Sequence, residues 1–298
     1  MDIVSLKRML ESEQYVFDKE FLVTLFVALE LGKPLLIEGG AGVGKTEVAK
    51  VLAAVLDTEL VRLQCYEGLD EAKSLYEWNY QKQLINIQLK ITASEQSADL
   101  FSEEYLLERP LLKAIRSEKQ VVLLIDEIDK TDEEFEAFLL ELLSDFQVSI
   151  PEIGTIRAKT HPVVILTSNS TRELSDALKR RCAYIYIEYP DIDKEAAIIR
   201  ARIPEAGEKL IKSVTRVAAW LRAENHVYRK PSVAETLDWV MALMSLGKPA
   251  VDRLALEQTS SFLLKNREDK ETVLAHPELD AVLNTTTAAA TMTAVSER

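Results

Sequence analysis

Through residues 1–190 the chain alternates short, unbroken apolar runs with segments whose apolar positions recur at helical spacing. The runs are "PLLIEG" (34–39), "ELVRLQC" (59–65), "QVVLLID" (120–126), "PVVILTS" (162–168) and "CAYIYIEY" (182–189). Each is short enough for a strand and too apolar to face water on both sides, so a mainly parallel five-stranded sheet covered by helices is predicted. Between the first two runs, Val48, Val51, Leu52, Val55 and Leu56 fall on one helical face, which makes a strand–helix–strand unit.

After Pro190 the strand pattern stops. "DKEAAIIRARI", "EKLIKSVTRVAAWLRAE", "SVAETLDWVMALMSLG" and "AVDRLALEQTSSFLLKN" all carry helical periodicity, so a smaller all-helical domain is expected over 191–284. The boundary falls at "YPDIDKE", where Pro190 ends a strand and acidic residues suit a helix start. The small, polar stretch 285–298 is expected to be disordered.

Composition narrows the function classes. A formal charge of −13 opposes a protein whose main task is gripping nucleic acid, since phosphate-backbone binding rests on clustered Lys and Arg. No apolar run is long enough to span a bilayer, and the N-terminal "MDIVSLKRMLESEQ" has no basic flank before an apolar block, so a cytoplasmic protein is expected. Cys65 and Cys182 each lie beside a strand-like run and read as buried free thiols. His161, His226 and His276 have no metal-site spacing.

The chemistry sits at the ends of the apolar runs. "GGAGVGKT" follows the first strand and opens the amphipathic helix, which is the context a phosphate-cradling loop requires. Gly39, Gly40, Ala41, Gly42, Val43 and Gly44 would turn backbone N–H groups toward phosphate, with Lys45, Thr46 and Glu47 opening the helix behind them. Lys45 would reach the terminal phosphates of ATP, and Thr46 would ligate Mg²⁺. In "VVLLIDEID", Asp126 can hold the metal and Glu127 can polarise an attacking water, at the strand end where parallel sheets bind ligands. Asn169, after "VVILTS", is either a turn residue or an amide that orients that water.

In this order, and with "LKRRC" and a helical domain behind them, these motifs make the chain resemble the AAA+ ATPases over nearly its whole length. Two features resemble the MoxR branch: a segment at about 67–92, "YEGLDEAKSLYEWNYQKQLINIQLK", taken as a strand-rich insertion, and a hairpin at about 146–165. The segment "KPSVAETLDW" is similar to the CoxD-like subgroup, linked to maturation of molybdenum-containing enzymes.

The resemblance implies a homo-oligomeric, hexameric ring in which Arg181 reaches a neighbour's nucleotide. Arg180 shares that task or pairs with an interface acid. It further implies a protein client, here a molybdoenzyme, and a von Willebrand factor A partner. One departure stands out: Ala234 occupies the position where MoxR-like proteins often carry a phosphate-sensing arginine, leaving Arg229 or Lys230 as possible substitutes. Val16 and Phe17 line an adenine pocket or belong to the core.

Tyr76, Trp78 and Tyr80 alternate in the insertion, as do Ile85, Ile87 and Leu89, so a hairpin is predicted whose aromatics face either a client or their own domain. Two other classes use the same core: a nucleic-acid motor or clamp loader, disfavoured by charge, and a nucleotide-gated scaffold, disfavoured by the intact Asp126–Glu127 pair.

Overall fold

The computed structural model describes residues 2–93, 101–151 and 153–284. The stretch 285–298, expected to be disordered, lies outside the described residues. The chain divides into two compact units, one of Met1–Met9, Phe17–Gly39 and Lys45–Ile187, the other of Leu10–Val16, Gly40–Gly44 and everything from Glu188 on. Helix α1 (Ile3–Ser12) therefore contributes to both.

The first unit is built on five parallel strands. After α2 (Lys19–Glu30), capped by Asp18, come β1 (Leu35–Gly39), α3 (Lys45–Val55) and β2 (Leu60–Gln64). An excursion follows through α4 (Glu71–Leu75), β3 (Tyr76–Trp78), α5 (Tyr80–Ala93) and β4 (Leu106–Glu108) to α6 (Pro110–Arg116). The chain then returns through β5 (Val122–Asp126), α7 (Glu133–Asp145), a two-stranded ribbon of β6 (Gln147–Ile150) and β7 (Gly154–Arg157), β8 (Val163–Ser168), α8 (Asp176–Arg181) and β9 (Ala183–Ile187).

The sheet order is β2-β5-β8-β1-β9, and every pairing is parallel. Strand β5 is buried at all five positions, as a run of uninterrupted apolar residues requires when helices cover both faces. On α3 the predicted stripe turns inward, with Val48, Val51, Leu52 and Val55 all buried. Because β1 sits between β8 and β9 while β5 flanks β8, the carboxyl ends of β1, β5 and β8 open side by side.

The insertion departs from the expected strand-rich hairpin. Ile85 and Ile87 lie on helix α5, and only Tyr76–Trp78 is extended, pairing antiparallel with Leu106–Glu108. The reason is local: Asn79 acts as a helix cap, accepting the Lys82 N–H at 2.9 Å, and the Gln- and Lys-rich run behind it has no Gly or Pro to turn a hairpin. The three aromatics consequently do not share a face. Trp78 is buried edge-on between Tyr76 and Phe101, at 5.8 and 5.3 Å, whereas Tyr80 is exposed at the start of α5.

The second unit is helical from Glu188 on: α9 (Ile192–Arg202), α10 (Glu208–Ala223), α11 (Val233–Ser245), α12 (Arg253–Thr259), α13 (Arg267–Ala275) and α14 (Leu279–Asn284). Trp239, Leu243, Leu221 and Val214 are fully buried in its core, and Trp239 Nε1 donates to Thr259 Oγ1 at 2.7 Å. Among the described residues no helix is long and apolar enough to cross a membrane.

Candidate active site

The sheet brings Lys45, Thr46, Asp126, Glu127 and Asn169 together, although up to 124 positions separate them in sequence. Lys45, at the first turn of α3, is buried and donates to Gly39 O at 2.8 Å and to Asn169 Oδ1 at 2.7 Å. Burial pushes its ammonium below the ordinary 10.5, against the pull of the Asp129, Asp126, Glu127 and Glu38 carboxylates. With Oδ1 used as acceptor, the Asn169 amide turns Nδ2 toward Glu127 Oε1, 3.3 Å away. One amide thus spans the ammonium and the carboxylate.

Asp126 ends β5 with its side chain almost wholly buried. Its Oδ1 accepts from Thr46 Oγ1 at 3.1 Å and from Thr167 Oγ1 at 2.5 Å. Thr167 in turn accepts the Glu127 N–H at 2.9 Å, so one hydroxyl on β8 fixes both acidic residues. Glu127 itself has φ 60° and ψ 49°, a left-handed conformation that non-glycine residues adopt at a cost of about 1–3 kcal/mol and that clusters at functional sites. Its Oε2 accepts from Gln64 Nε2 at 2.9 Å and Lys130 Nζ at 2.5 Å.

Several partners were not legible in sequence. Asp129, buried, accepts from Asn169 N at 3.1 Å, Thr171 N at 3.0 Å and Thr171 Oγ1 at 2.6 Å, pinning the turn that carries Asn169 and the left-handed Ser170. Burial alone would raise its carboxyl, but the bonds from Thr171 and Asn169 outweigh that and hold it below the usual 3.8. Arg62 and Gln64 reach the site from β2, whose register sets Gln64 against Asp126. Only that alternation in "ELVRLQC", polar at Arg62 and Gln64, hinted at a face turned to something charged.

The loop Gly40–Gly44 belongs to the second unit. Gly42 and Gly44 have φ of 74° and 97°, and a Cβ on Gly42 would come within 2.1 Å of Ser232 Cβ. The Val233 N–H donates to Gly42 O at 3.1 Å, and the Tyr189 hydroxyl donates to Ala41 O at 3.2 Å. In that unit Ala234 is exposed, the Lys230 ammonium is engaged by Glu224 O, and Arg229 lies 3.8 Å from Glu235. Val16 and Phe17 are half-buried; Phe17 packs at 6.5 Å from Phe21 in the first unit.

Arg180 and Arg181 end α8 exposed, and neither guanidinium has a partner among the described residues. They therefore stand apart from the Lys45–Asn169–Glu127 group, which they do not contact.

The chain is similar to known proteins in sequence and in fold. The gas vesicle ATPase GvpN1 of Halobacterium salinarum is 26% identical over 203 residues, covering 65% of this chain and 58% of that protein, so the match spans less than two thirds of that relative. An uncharacterized protein of Staphylococcus epidermidis is 26% identical over 280 residues, covering 90% and 97%. Among solved structures, a point mutant of Thermotoga maritima RuvB shares the fold with a TM-score of 0.50 at 15% identity, covering 88% of this chain and 78% of that one. The AAA domain (dynein-related subfamily) profile matches residues 34–182, half of the chain and all of the core strands except β9, and the chain belongs to that family.

Proposed function

We propose that the chain is a Mg·ATP-hydrolysing remodelling ATPase of the AAA+ type, in the MoxR branch and nearest its CoxD-like subgroup, acting on a metalloenzyme client during its maturation. The observation that carries the hydrolytic part is the Asn169 amide held between Lys45 and Glu127, 2.7 Å from one and 3.3 Å from the other.

The donor set fits a divalent cation carried on phosphate oxygens: Thr46 supplies a hydroxyl and Asp126 a carboxylate, both hard oxygen ligands, and neither is enough to cage a metal alone. When bound there, Mg²⁺ would neutralise phosphate charge. The N–H groups of Gly40–Gly44 and the Lys45 ammonium hold the phosphates, with Glu47 beside them in the first turn of α3. Asn169 fixes a water by its amide, and Glu127 takes its proton as it attacks the γ-phosphorus, releasing ADP and phosphate.

Arg181, exposed and uncommitted, serves a neighbouring copy in a ring, with Arg180 beside it; a cation supplied across a subunit interface raises hydrolysis by about 10³–10⁵ in known cases. A hexamer, Val16 and Phe17 against adenine, and a von Willebrand factor A partner belong to the same reading. The net charge of −13 favours a protein client over nucleic acid.

The test is phosphate release from Mg·ATP, followed by recovery from cells of whatever stays attached to the Glu127→Gln protein. Turnover lost in Lys45→Ala and a molybdoenzyme or von Willebrand factor A protein on the trapped form support the reading. Nucleic acid on the trapped form, or no turnover by the native chain, overturns it.

A further inference from the structure

The proposed reaction gives no task to Arg62, yet Arg62 makes the closest charged contact of Asp126. Its Nε and Nη2 both point at Oδ2, at 3.1 and 2.5 Å, while Thr46 and Thr167 crowd Oδ1. Asp126 is buried, whereas the Arg62 side chain is half exposed on β2, the edge strand of the sheet. Oδ2 of Asp126, which Thr46 Oγ1 approaches only at 3.4 Å, is therefore already covered by a cation.

A guanidinium cannot vacate that position by losing a proton, because it stays charged at any physiological pH. It leaves only by moving, and a long side chain rooted on an edge strand with half its surface in water can do so. A second hold lies ready on the same strand: Nη2 also donates to Gln64 Oε1 at 2.5 Å. We propose that Arg62 is a displaceable counter-cation of the metal carboxylate. It neutralises Asp126 when no divalent ion is present and must withdraw for one to bind, which sets a threshold on the divalent-ion concentration at which the site loads. This rests on the reading of Asp126 as a metal ligand.

The test measures the affinity of the native chain, Arg62→Gln and Arg62→Lys for a fluorescent ADP analogue, with Mg²⁺ and with chelator. The readout is the ratio of the two affinities, which isolates the metal's contribution from the general pull of a positive charge on phosphate. Removing the competitor should raise that ratio about fivefold in Arg62→Gln, the order of one partly exposed ion pair. Arg62→Lys, charged but without the two-pronged contact, should fall between.

Thermal melting of the nucleotide-free proteins checks folding, and if Arg62→Gln does not fold, Arg62→Lys carries the comparison alone. A ratio unchanged or lowered overturns the proposal while leaving Asp126 as a metal ligand. A native chain that binds the analogue with no dependence on Mg²⁺ overturns both.

Discussion

Lys45 Nζ and Asn169 Oδ1 lie 2.7 Å apart, joining the first turn of α3 to the end of β8. The ammonium that would grip phosphate and the amide that would place water are thus set against each other before any ligand arrives. Such preorganisation matters because a group already in place costs no reorganisation when charge develops.

If the amide places water, Asn169→Ala should lower kcat by about 10²- to 10³-fold, the range seen when one oriented polar group is lost from a transition state. Nucleotide affinity should change little, since Lys45 keeps its bond to Gly39 O. Steady-state phosphate release alongside equilibrium nucleotide binding separates the two effects. A matching loss in both would make Asn169 a binding residue instead.

Asp129 acts one step behind. Asp129→Asn keeps the size but turns an amide N–H₂ toward groups that are themselves donors, so the Asn169–Thr171 turn should loosen at a cost of about 1.5–3 kcal/mol. Because the Asp129 carboxyl is held below its usual 3.8, the unfolded chain takes up the proton first. The stabilisation is therefore complete above that value and drains away as pH falls through the lowered one. Urea unfolding from pH 7 to 3 should show the native protein losing more stability on the acid side than the Asn variant does.

The sheet was legible in the sequence because it is buried on both faces: an apolar run flanked by turn residues has one physical outcome, and the predicted strands match the observed ones to within two residues at either end. The glycine loop and Asp126–Glu127 were legible for the same reason, since strand ends fix where their side chains emerge. Asp129, Thr167 and Arg62 were not. What they do depends on which strands are neighbours, and the β2-β5-β8 order is not written in local pattern. The insertion misled because "QLINIQLK" alternates like a strand, while the Asn79 cap and its helix-forming neighbours decide for α5.

The proposed ring with shared sites would make turnover depend on assembly. Arg181→Ala should bind nucleotide normally yet hydrolyse it at least about 10³-fold more slowly. Mixing it with Lys45→Ala should restore part of the activity, because each chain then lacks a different half of the site. Activity per chain should also fall on dilution of the native protein, and light scattering over the same concentrations should report the loss of oligomer. Full activity in a monomer would remove Arg181 from the reaction.

In the second unit, Arg222 and Glu195 form a two-pronged pair at 2.7 Å for each bond, with side chains 7% and 0% exposed. Arg222 also donates to Pro231 O at 2.9 Å and lies 5.1 Å from the Tyr189 ring centre, while Tyr189 bonds Ala41 O. Removing one partner leaves a buried charge with no counterpart, so Arg222→Ala or Glu195→Ala should each cost about 3–5 kcal/mol. Replacing both by apolar residues of similar volume, Arg222→Met with Glu195→Leu, should cost less than either alanine change, since neither charge is then stranded. Because Tyr189 stacks on the guanidinium and holds the glycine loop by its hydroxyl, the apolar pair should weaken nucleotide binding even where stability is regained. Chemical denaturation and nucleotide titration of the three variants separate these effects. Unchanged affinity in the stable double variant would show that the loop keeps its shape without Arg222.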